Sequence, residues 1–216
     1  MVELYYFLII IIKNYDIVIL VIKLRKTEFD LECYKKTIKV IRTVFNTLYC
    51  PNIEGLENLQ CESGFILAGN HKSLLDVPLL ASAVEPHVHF MGKKELFDKR
   101  LLNYIFTKLG AFPVDRDGID INAIKIAMKL LREDEVLGIF PEGTRNKGIE
   151  LLPFKEGTTR IAAKTKKPII PFGISGEYKL RGGITIRFGE AIDFNIISVD
   201  SENEYLRAKV KELIIK

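Results

Sequence analysis

Six short apolar runs, separated by stretches of helical periodicity, constrain the fold of this chain more than any other feature. The runs are Phe65 to Ala68, Val88 to Met91, Ala111 to Val114, Val136 to Phe140, Ile169 to Ile174 and Ile184 to Phe188. The helical patterns are Glu95 to Leu109, Asp120 to Leu131, Thr158 to Lys166 and Glu202 to Ile215. This alternation predicts an α/β domain in which a largely parallel central sheet is flanked by helices.

The first 50 residues have a different character. Two apolar blocks, Leu4 to Ile12 and Ile17 to Ile22, are separated by Lys13 to Asp16. A spanning helix needs about 20 apolar residues, and each central charge costs about 2.5 to 3.5 kcal/mol. We therefore expect a helix that lies at the membrane interface. The pattern from Glu28 to Leu48 predicts a second, amphipathic basic helix, or alternatively a core helix with a solvated basic face.

Pro51 and Asn52 break the helical pattern. We therefore divide the chain into residues 1–50, a two-helix membrane-docking element, and residues 51–216, a single α/β domain. The formal charge of +4 is compatible with an anionic lipid surface and too small to indicate nucleic-acid binding. The three cysteines show no paired spacing, which indicates reduced thiols and a cytoplasmic environment.

Three polar clusters follow three of the apolar runs. They are Asn70 to Asp76, Val114 to Arg116 and Phe140 to Arg145. Ligands of open α/β sheets bind beyond the carboxyl ends of the strands. We therefore expect the three clusters to meet in one crevice.

His71 and Asp76 are candidates for a proton-transfer pair. Five positions on a regular helix would rotate them about 140° apart, so His71 must precede the helix. A helix that starts near Ser73 to Val77 could return the carboxylate to the imidazole and form a dyad that deprotonates a hydroxyl. Two alternatives stay open, a capping box formed by Ser73 and Asp76 and a nucleophilic Ser73.

Four cations lie in or near these clusters: Lys93, Lys94, Arg116 and Arg145. The two guanidinium groups can bind a phosphate through paired hydrogen bonds, and the two lysines can add charge. The alternative is that each cation pairs with a neighbouring carboxylate, such as Asp115, Asp117 or Glu142.

His87 and His89 lie in a predicted strand, with no carboxylate or thiol at a metal-ligand spacing from them. We expect at most one of them to face the site, interpret both as structural, and predict no metal site. The glycines near positions 173–176 and 182–183 lack the phosphate-loop pattern, so nucleotide binding is not predicted.

Four ordered motifs resemble those of the glycerolipid acyltransferase superfamily, specifically the bacterial PlsC-type 1-acyl-sn-glycerol-3-phosphate acyltransferases. They are NHxxxxD at 70–76, GxFPVDR at 110–116, FPEGTR at 140–145 and IPFG at 170–173, with KKEL at 93–96 between the first two. This sequence continues its third motif with Asn146, where serine often follows the arginine. We expect that departure to leave the chemistry unaffected.

The resemblance implies that His71 is the general base, that Asp76 is its partner, and that no acyl-enzyme forms. It also implies an acceptor site at Lys93, Lys94, Arg116, Glu142, Gly143, Thr144 and Arg145. The implied reaction transfers a fatty acyl group from acyl coenzyme A or acyl carrier protein to the sn-2 hydroxyl of lysophosphatidic acid, giving phosphatidic acid. No metal or other cofactor is implied, and the expected location is the cytoplasmic face of the membrane bilayer.

Other functions stay open at this point. The acceptor could be another lysolipid or an acylated amino acid, because the motifs indicate a hydroxyl acceptor more firmly than its identity. A thioesterase could use the same dyad to activate water. A lipid-binding module without activity is a further alternative.

Overall fold

Nine strands and six α-helices form the backbone of the computed structural model, which describes residues 4–13, 16–25, 31–61, 63–148, 150–197 and 199–215. The strands are β1 (Leu4–Lys13), β2 (Asp16–Arg25), β3 (Asn52–Glu54), β4 (Ile66–Gly69), β5 (Val88–Lys93), β6 (Ala111–Val114), β7 (Val136–Ile139), β8 (Ile169–Lys179) and β9 (Gly182–Phe188). The helices are α1 (Leu31–Leu48), α2 (Asp76–Ala83), α3 (Arg100–Lys108), α4 (Ile121–Arg132), α5 (Gly157–Thr165) and α6 (Glu202–Ile215).

Seven of these strands form one sheet in the order β3-β9-β8-β4-β7-β5-β6. Strands β4 to β8 are mutually parallel, β9 is antiparallel to β8, and β3 pairs with β9 in parallel. The predicted α/β domain with a largely parallel sheet is thus confirmed. All six predicted strands and four predicted helices of the domain are present, with shifted ends, although the pattern from Glu95 to Leu109 yields a 3-10 turn followed by α3.

Both faces of the sheet are covered. Residues Ile66 to Ala68 of the central strand β4 are fully buried, as expected for a parallel strand between two helical layers. One face packs against α1 and α2 through side chains such as Phe45 and Leu79. The other face packs against α4, α5 and α6 through side chains such as Leu131 and Val210.

The sheet changes winding direction between β4 and β7. The chain leaves β4 through α2 toward β5 and leaves β7 through α5 toward β8, on opposite faces and in opposite directions. Diverging loops open a crevice beyond the carboxyl ends of such strands. The fold therefore places a crevice where the first and third polar clusters lie.

The N-terminal region differs from its sequence-based prediction. Residues 4–13 and 16–25 form the antiparallel pair β1 and β2, in which Leu4 pairs with Arg25 and Lys13 with Asp16. The expected interfacial helix is therefore wrong. Runs rich in Ile and Val favour strands, and pairing puts Lys13 and Asp16 at the strand ends, whereas one helix would hold them mid-length.

The second predicted N-terminal helix is confirmed as α1. Its apolar stripe, including Ile38 and Phe45, is buried in the core, while Lys35 and Lys39 are exposed. The apolar face thus packs on the domain, which is the core-helix alternative. The membrane role of residues 1–50 stays a prediction, and no helix in the described ranges has the length and apolar character needed to cross a bilayer.

Candidate active site

The three polar clusters meet at the carboxyl edge of the sheet, as the sequence predicts. His71 follows β4, Arg116 follows β6 and Glu142 follows β7. The His71 amide donates to Glu142 Oε1 at 3.2 Å, and Arg116 Nη1 donates to the Gly143 carbonyl at 2.9 Å. Direct hydrogen bonds therefore connect all three loops.

His71 and Asp76 form a buried pair. The imidazole Nδ1 lies 2.8 Å from Asp76 Oδ2, with the His71 side chain 9% exposed and the Asp76 side chain fully buried. A carboxylate at Nδ1 selects the tautomer with its proton on Nδ1, which leaves the lone pair on Nε2. No other described residue forms a hydrogen bond with the imidazole, so Nε2 is available to accept a proton.

Three further donors surround the Asp76 carboxylate. Oδ2 accepts the backbone amides of Lys72 at 2.6 Å and Ser73 at 2.7 Å, and Oδ1 accepts the Tyr178 hydroxyl at 2.7 Å. Burial, together with the Asp76 charge, raises the pKa of Tyr178 far above its ordinary value, so its hydroxyl stays protonated and donates. These bonds fix the carboxylate in place behind the imidazole.

The capping alternative proves compatible with the dyad. The Ser73 amide donates to the Asp76 side chain, as in half of a capping box, while the same oxygen contacts His71. The Ser73 hydroxyl instead accepts the Leu75 amide at 3.2 Å. Within the described hydrogen bonds it does not reach His71, which disfavours the nucleophilic interpretation of Ser73.

The loop after β7 holds the backbone of His71 on both sides. Glu142, 5% exposed, accepts the His71 amide, and the Asn146 amide donates to the His71 carbonyl at 2.7 Å. Asn146 Nδ2 also donates to Glu142 Oε2 at 3.0 Å, which in addition accepts the Leu152 amide. Glu142 and Asn146 thus brace the backbone of the histidine, and the expectation that the departure at Asn146 leaves the chemistry unaffected stays a prediction.

Two aromatic and amide contacts complete the support of this loop. The Phe140 ring stacks on His71 with centroids 4.1 Å apart and an interplanar angle of 21°. Asn70 exchanges two hydrogen bonds with the backbone of Ile174 in β8, at 2.7 and 2.9 Å. The imidazole is therefore held from its edge, its face and its backbone.

The two predicted guanidinium groups lie close together. Burial lowers the pKa of Arg116 from its ordinary value, and Arg145 lowers it further while Glu95 opposes the shift. Across the described residues, neither arginine forms an ion pair with a carboxylate. The pairing alternative is therefore wrong for Arg116 and Arg145 in that part of the chain, and Arg145 is exposed while Arg116 is partly buried.

A further cation lies beside them. Gly143 has φ +71°, and a Cβ at this position would lie 2.8 Å from Lys155 Cε and 3.1 Å from its Nζ. The Lys155 amine therefore approaches the backbone that Arg116 also contacts. Sequence reasoning missed Lys155, because no periodicity or motif marked it.

Lys93 and Lys94 follow the pairing alternative. Lys93 Nζ lies 2.7 Å from Glu95, and Lys94 Nζ lies 3.7 Å from Asp115. Both side chains are more than half exposed, so these pairs contribute little to stability. Thr144 is exposed on the turn after Gly143. The assignment of these three residues to the acceptor site stays a prediction.

His87 and His89 lie away from this edge. Both lie at the amino end of β5, whereas the dyad lies beyond the carboxyl ends of the strands, so neither faces the dyad. Their ring centroids are 4.2 Å apart. Burial, with a smaller effect of His89, lowers the pKa of His87 to about 4. Glu135 lies close to both histidines in the fold, although its distance from them along the sequence matches no metal-ligand spacing.

The sequence is similar to those of known acyltransferases. Residues 50–175 match the model of the Acyltransferase family. A 1-acyl-sn-glycerol-3-phosphate acyltransferase of Bacillus subtilis (strain 168) is 33% identical over 193 residues, covering 83% of this chain and 96% of that protein. The enzyme of the same name from Streptococcus pneumoniae is 33% identical over 143 residues, and the chain spans about half of its length, 53%.

A solved structure is also similar. The crystal structure of the 1-acyl-sn-glycerophosphate acyltransferase PlsC from Thermotoga maritima matches with a TM-score of 0.68 and 26% sequence identity. The match covers 84% of this chain and 79% of that one.

Proposed function

Because this chain belongs to the acyltransferase family, we propose that it transfers a fatty acyl group from an acyl thioester to the sn-2 hydroxyl of lysophosphatidic acid. The observation that carries this proposal is the buried pair of His71 and Asp76 together with Arg116 and Arg145, which form no ion pair with any described carboxylate. One arrangement supplies a base for a hydroxyl, and the other supplies a site for a phosphate. The product would be phosphatidic acid.

The dyad supplies the chemistry of the transfer. His71 Nε2 removes the hydroxyl proton as the acceptor oxygen attacks the thioester carbonyl. Asp76 stabilises the imidazolium that forms. Collapse of the tetrahedral intermediate breaks the carbon–sulfur bond, and the departing thiolate takes the proton back from His71. The base returns to its neutral form, and no acyl-enzyme is needed.

The acceptor phosphate fits the cation cluster. Arg116 and Arg145 offer planar donors for phosphate oxygens, and Lys155 adds a third charge at Gly143. The Bacillus and Streptococcus relatives are both named for one acceptor, 1-acyl-sn-glycerol-3-phosphate. Both considerations favour a phosphorylated acceptor over a neutral one.

The role of Arg145 can be tested with a matched pair of acceptors. Arg145→Ala should lower kcat/KM for lysophosphatidic acid by about 10- to 100-fold, because a hydrogen bond between charged groups contributes about 1.5 to 3 kcal/mol. The kcat/KM for monoacylglycerol, which lacks the phosphate, should be unchanged by the substitution. Lys147→Ala is the control, since Lys147 is an exposed cation on the same loop. An equal loss on both acceptors would remove the phosphate role.

Acyl coenzyme A and acyl carrier protein share the thioester that the mechanism requires. Assays with each donor identify the carrier, and thiol release without an acceptor measures any hydrolysis. Transfer predicts release that requires lysophosphatidic acid and yields phosphatidic acid. Release of free fatty acid at the same rate without an acceptor would instead establish a thioesterase that uses the same dyad.

We also propose that the active-site edge faces a lipid surface on the cytoplasmic side of the membrane. Several large apolar side chains on the surrounding loops and at the start of α4 are exposed: Leu74, Ile119, Ile121 and Leu152. Lysines accompany them, including Lys94. A mixed apolar and basic rim suits an anionic lipid interface. Flotation with phosphatidylglycerol vesicles, compared with phosphatidylcholine vesicles, tests this orientation.

A further inference from the structure

His87, His89 and Glu135 form a second cluster of chemically active side chains. One nitrogen or oxygen of each lies within 4.8 Å of the others. His89 Nε2 is 3.5 Å from Glu135 Oε2. The cluster takes no part in the mechanism above, and its three members are 48 residues apart at the widest.

The cluster lies at the edge of the sheet opposite the active site. His87 and Glu135 immediately precede β5 and β7, whose first residues Val88 and Val136 pair with each other. The dyad lies beyond the carboxyl ends of the same parallel sheet. Four residues of β7, at about 3.3 Å each, separate the two edges by roughly 13 Å. Binding at this cluster would therefore not place a ligand on His71.

Backbone carbonyls orient both imidazoles. His89 Nδ1 lies 3.0 Å from the Gly110 carbonyl, and His87 Nε2 lies 3.4 Å from the Leu109 carbonyl. A proton donated from His89 Nδ1 leaves the lone pair on Nε2, the nitrogen that lies 3.5 Å from Glu135 Oε2. Histidines that bind metals are commonly held in this way by a second hydrogen bond.

A glycine makes this close approach possible. Gly110 has φ +79°, and a Cβ on it would lie 2.1 Å from His87 Nε2 and 3.1 Å from His89 Nδ1. Any side chain at this position would displace the rings. The absence of a side chain at Gly110, just before β6, therefore leaves room for the two imidazoles side by side.

We propose that His87, His89 and Glu135 bind one divalent transition-metal ion of the Zn²⁺ class, with water completing its coordination. Two imidazoles and a carboxylate suit zinc, whereas Mg²⁺ and Ca²⁺ prefer oxygen ligands. Ligand atoms in a tetrahedral zinc site lie about 3.3 Å apart for bonds near 2.0 Å. Closure from a spacing of up to 4.8 Å requires about 1.5 Å of movement, to which the 44% exposed Glu135 side chain can contribute.

The bound ion would act as a structural clip. It would connect the beginnings of β5 and β7, while the Leu109 and Gly110 carbonyls connect both rings to the chain just before β6. The ring of Tyr34 in α1 lies against His87 with centroids 4.1 Å apart, so the clip would extend to α1. The expected effect is on thermal stability, with turnover at saturating substrate unchanged.

The test compares Glu135→Gln with Glu133→Gln in the full chain. Glu133 is a nearby exposed glutamate outside the cluster, paired with Lys129. Titration calorimetry with Zn²⁺ should give one ion per chain for the unmodified protein and for Glu133→Gln. Glu135→Gln should bind at least about tenfold more weakly, because even outer partners of ligands contribute 10- to 100-fold to affinity.

Thermal unfolding supplies the second measurement. At a 100-fold excess over Kd, Zn²⁺ should raise Tm by about 5 to 10 °C, and Mg²⁺ should not. His71→Ala should retain the full shift, because the dyad is a separate site. The proposal would be overturned if Zn²⁺ at 1 mM failed to bind the unmodified protein. It would also be overturned if Glu135→Gln and the more disruptive His89→Gln both bound Zn²⁺ as tightly as the unmodified protein.

Discussion

Replacement of Asp76 by Asn tests the electrostatic role of the carboxylate with little change of shape. The amide oxygen can still face His71 and the amides of Lys72 and Ser73. Its NH₂ group would then face Tyr178, whose hydroxyl oxygen can accept instead of donate. The hydrogen-bond geometry can thus survive, while the negative charge is removed.

The structure sets the size of the effect. Opposite unit charges at the observed 2.8 Å attract by about 6 kcal/mol at an effective dielectric constant of about 20. The carbonyl dipole of the substituted asparagine retains part of that stabilisation for the imidazolium. A net loss of about 3 to 5 kcal/mol remains, and it applies in the transition state, where His71 carries the proton. We expect kcat to fall by about 10² to 10⁴.

The assay is thiol release from palmitoyl coenzyme A in mixed micelles containing lysophosphatidic acid. Thermal unfolding should accompany it, with Tm expected within a few degrees of the unmodified protein. Asp117→Asn is the control, because Asp117 is an exposed carboxylate just after the second cluster and has no described contact with His71. A kcat within threefold of the original for Asp76→Asn, in a folded protein, would refute the electrostatic argument.

Two residues that support the dyad yield further predictions. Tyr178→Phe removes one hydrogen-bond donor to the buried Asp76 carboxylate. It should lower the free energy of unfolding by about 1 to 3 kcal/mol, with a smaller fall in kcat. An unchanged Tm would contradict the contact, and Tyr205→Phe is the control. Asn146→Ala should lower kcat about tenfold while leaving KM for the thioester unchanged, because it loosens Glu142 behind the His71 backbone. Restoration by Asn146→Gln, or an effect on KM alone, would count against that positioning role.

Much of the fold could be predicted because the sheet is buried on both faces. Runs such as Ile169 to Ile174 then read as continuous apolar segments, and turn residues separate them from the helices. The N-terminal strands could not be identified in this way. Their Ile-rich blocks suit a membrane helix as well as a strand, and only the pairing of Leu4 with Arg25 distinguishes the two.

The candidate site divides similarly. His71, Asp76 and the two arginines follow strand ends, and local motifs mark them. Tyr178 could not be predicted, since it contacts Asp76 from 102 positions away along the chain. The brace formed by Asn146 depends on which loops the winding of the sheet brings together. Contacts of this kind depend on three-dimensional packing, which spacing in one sequence does not encode.

In the proposed mechanism, His71 acts as the base for acyl transfer to a lysolipid hydroxyl. The most direct measurement is the rate of phosphatidic acid formation from palmitoyl coenzyme A and lysophosphatidic acid by His71→Ala, compared with the original protein and with Ser73→Ala. The account predicts a fall of about 10² to 10⁴ for His71→Ala in a folded protein and near-normal activity for Ser73→Ala. Retained phosphatidic acid synthesis by His71→Ala, or its loss in Ser73→Ala with an acyl group trapped on the protein, would contradict it.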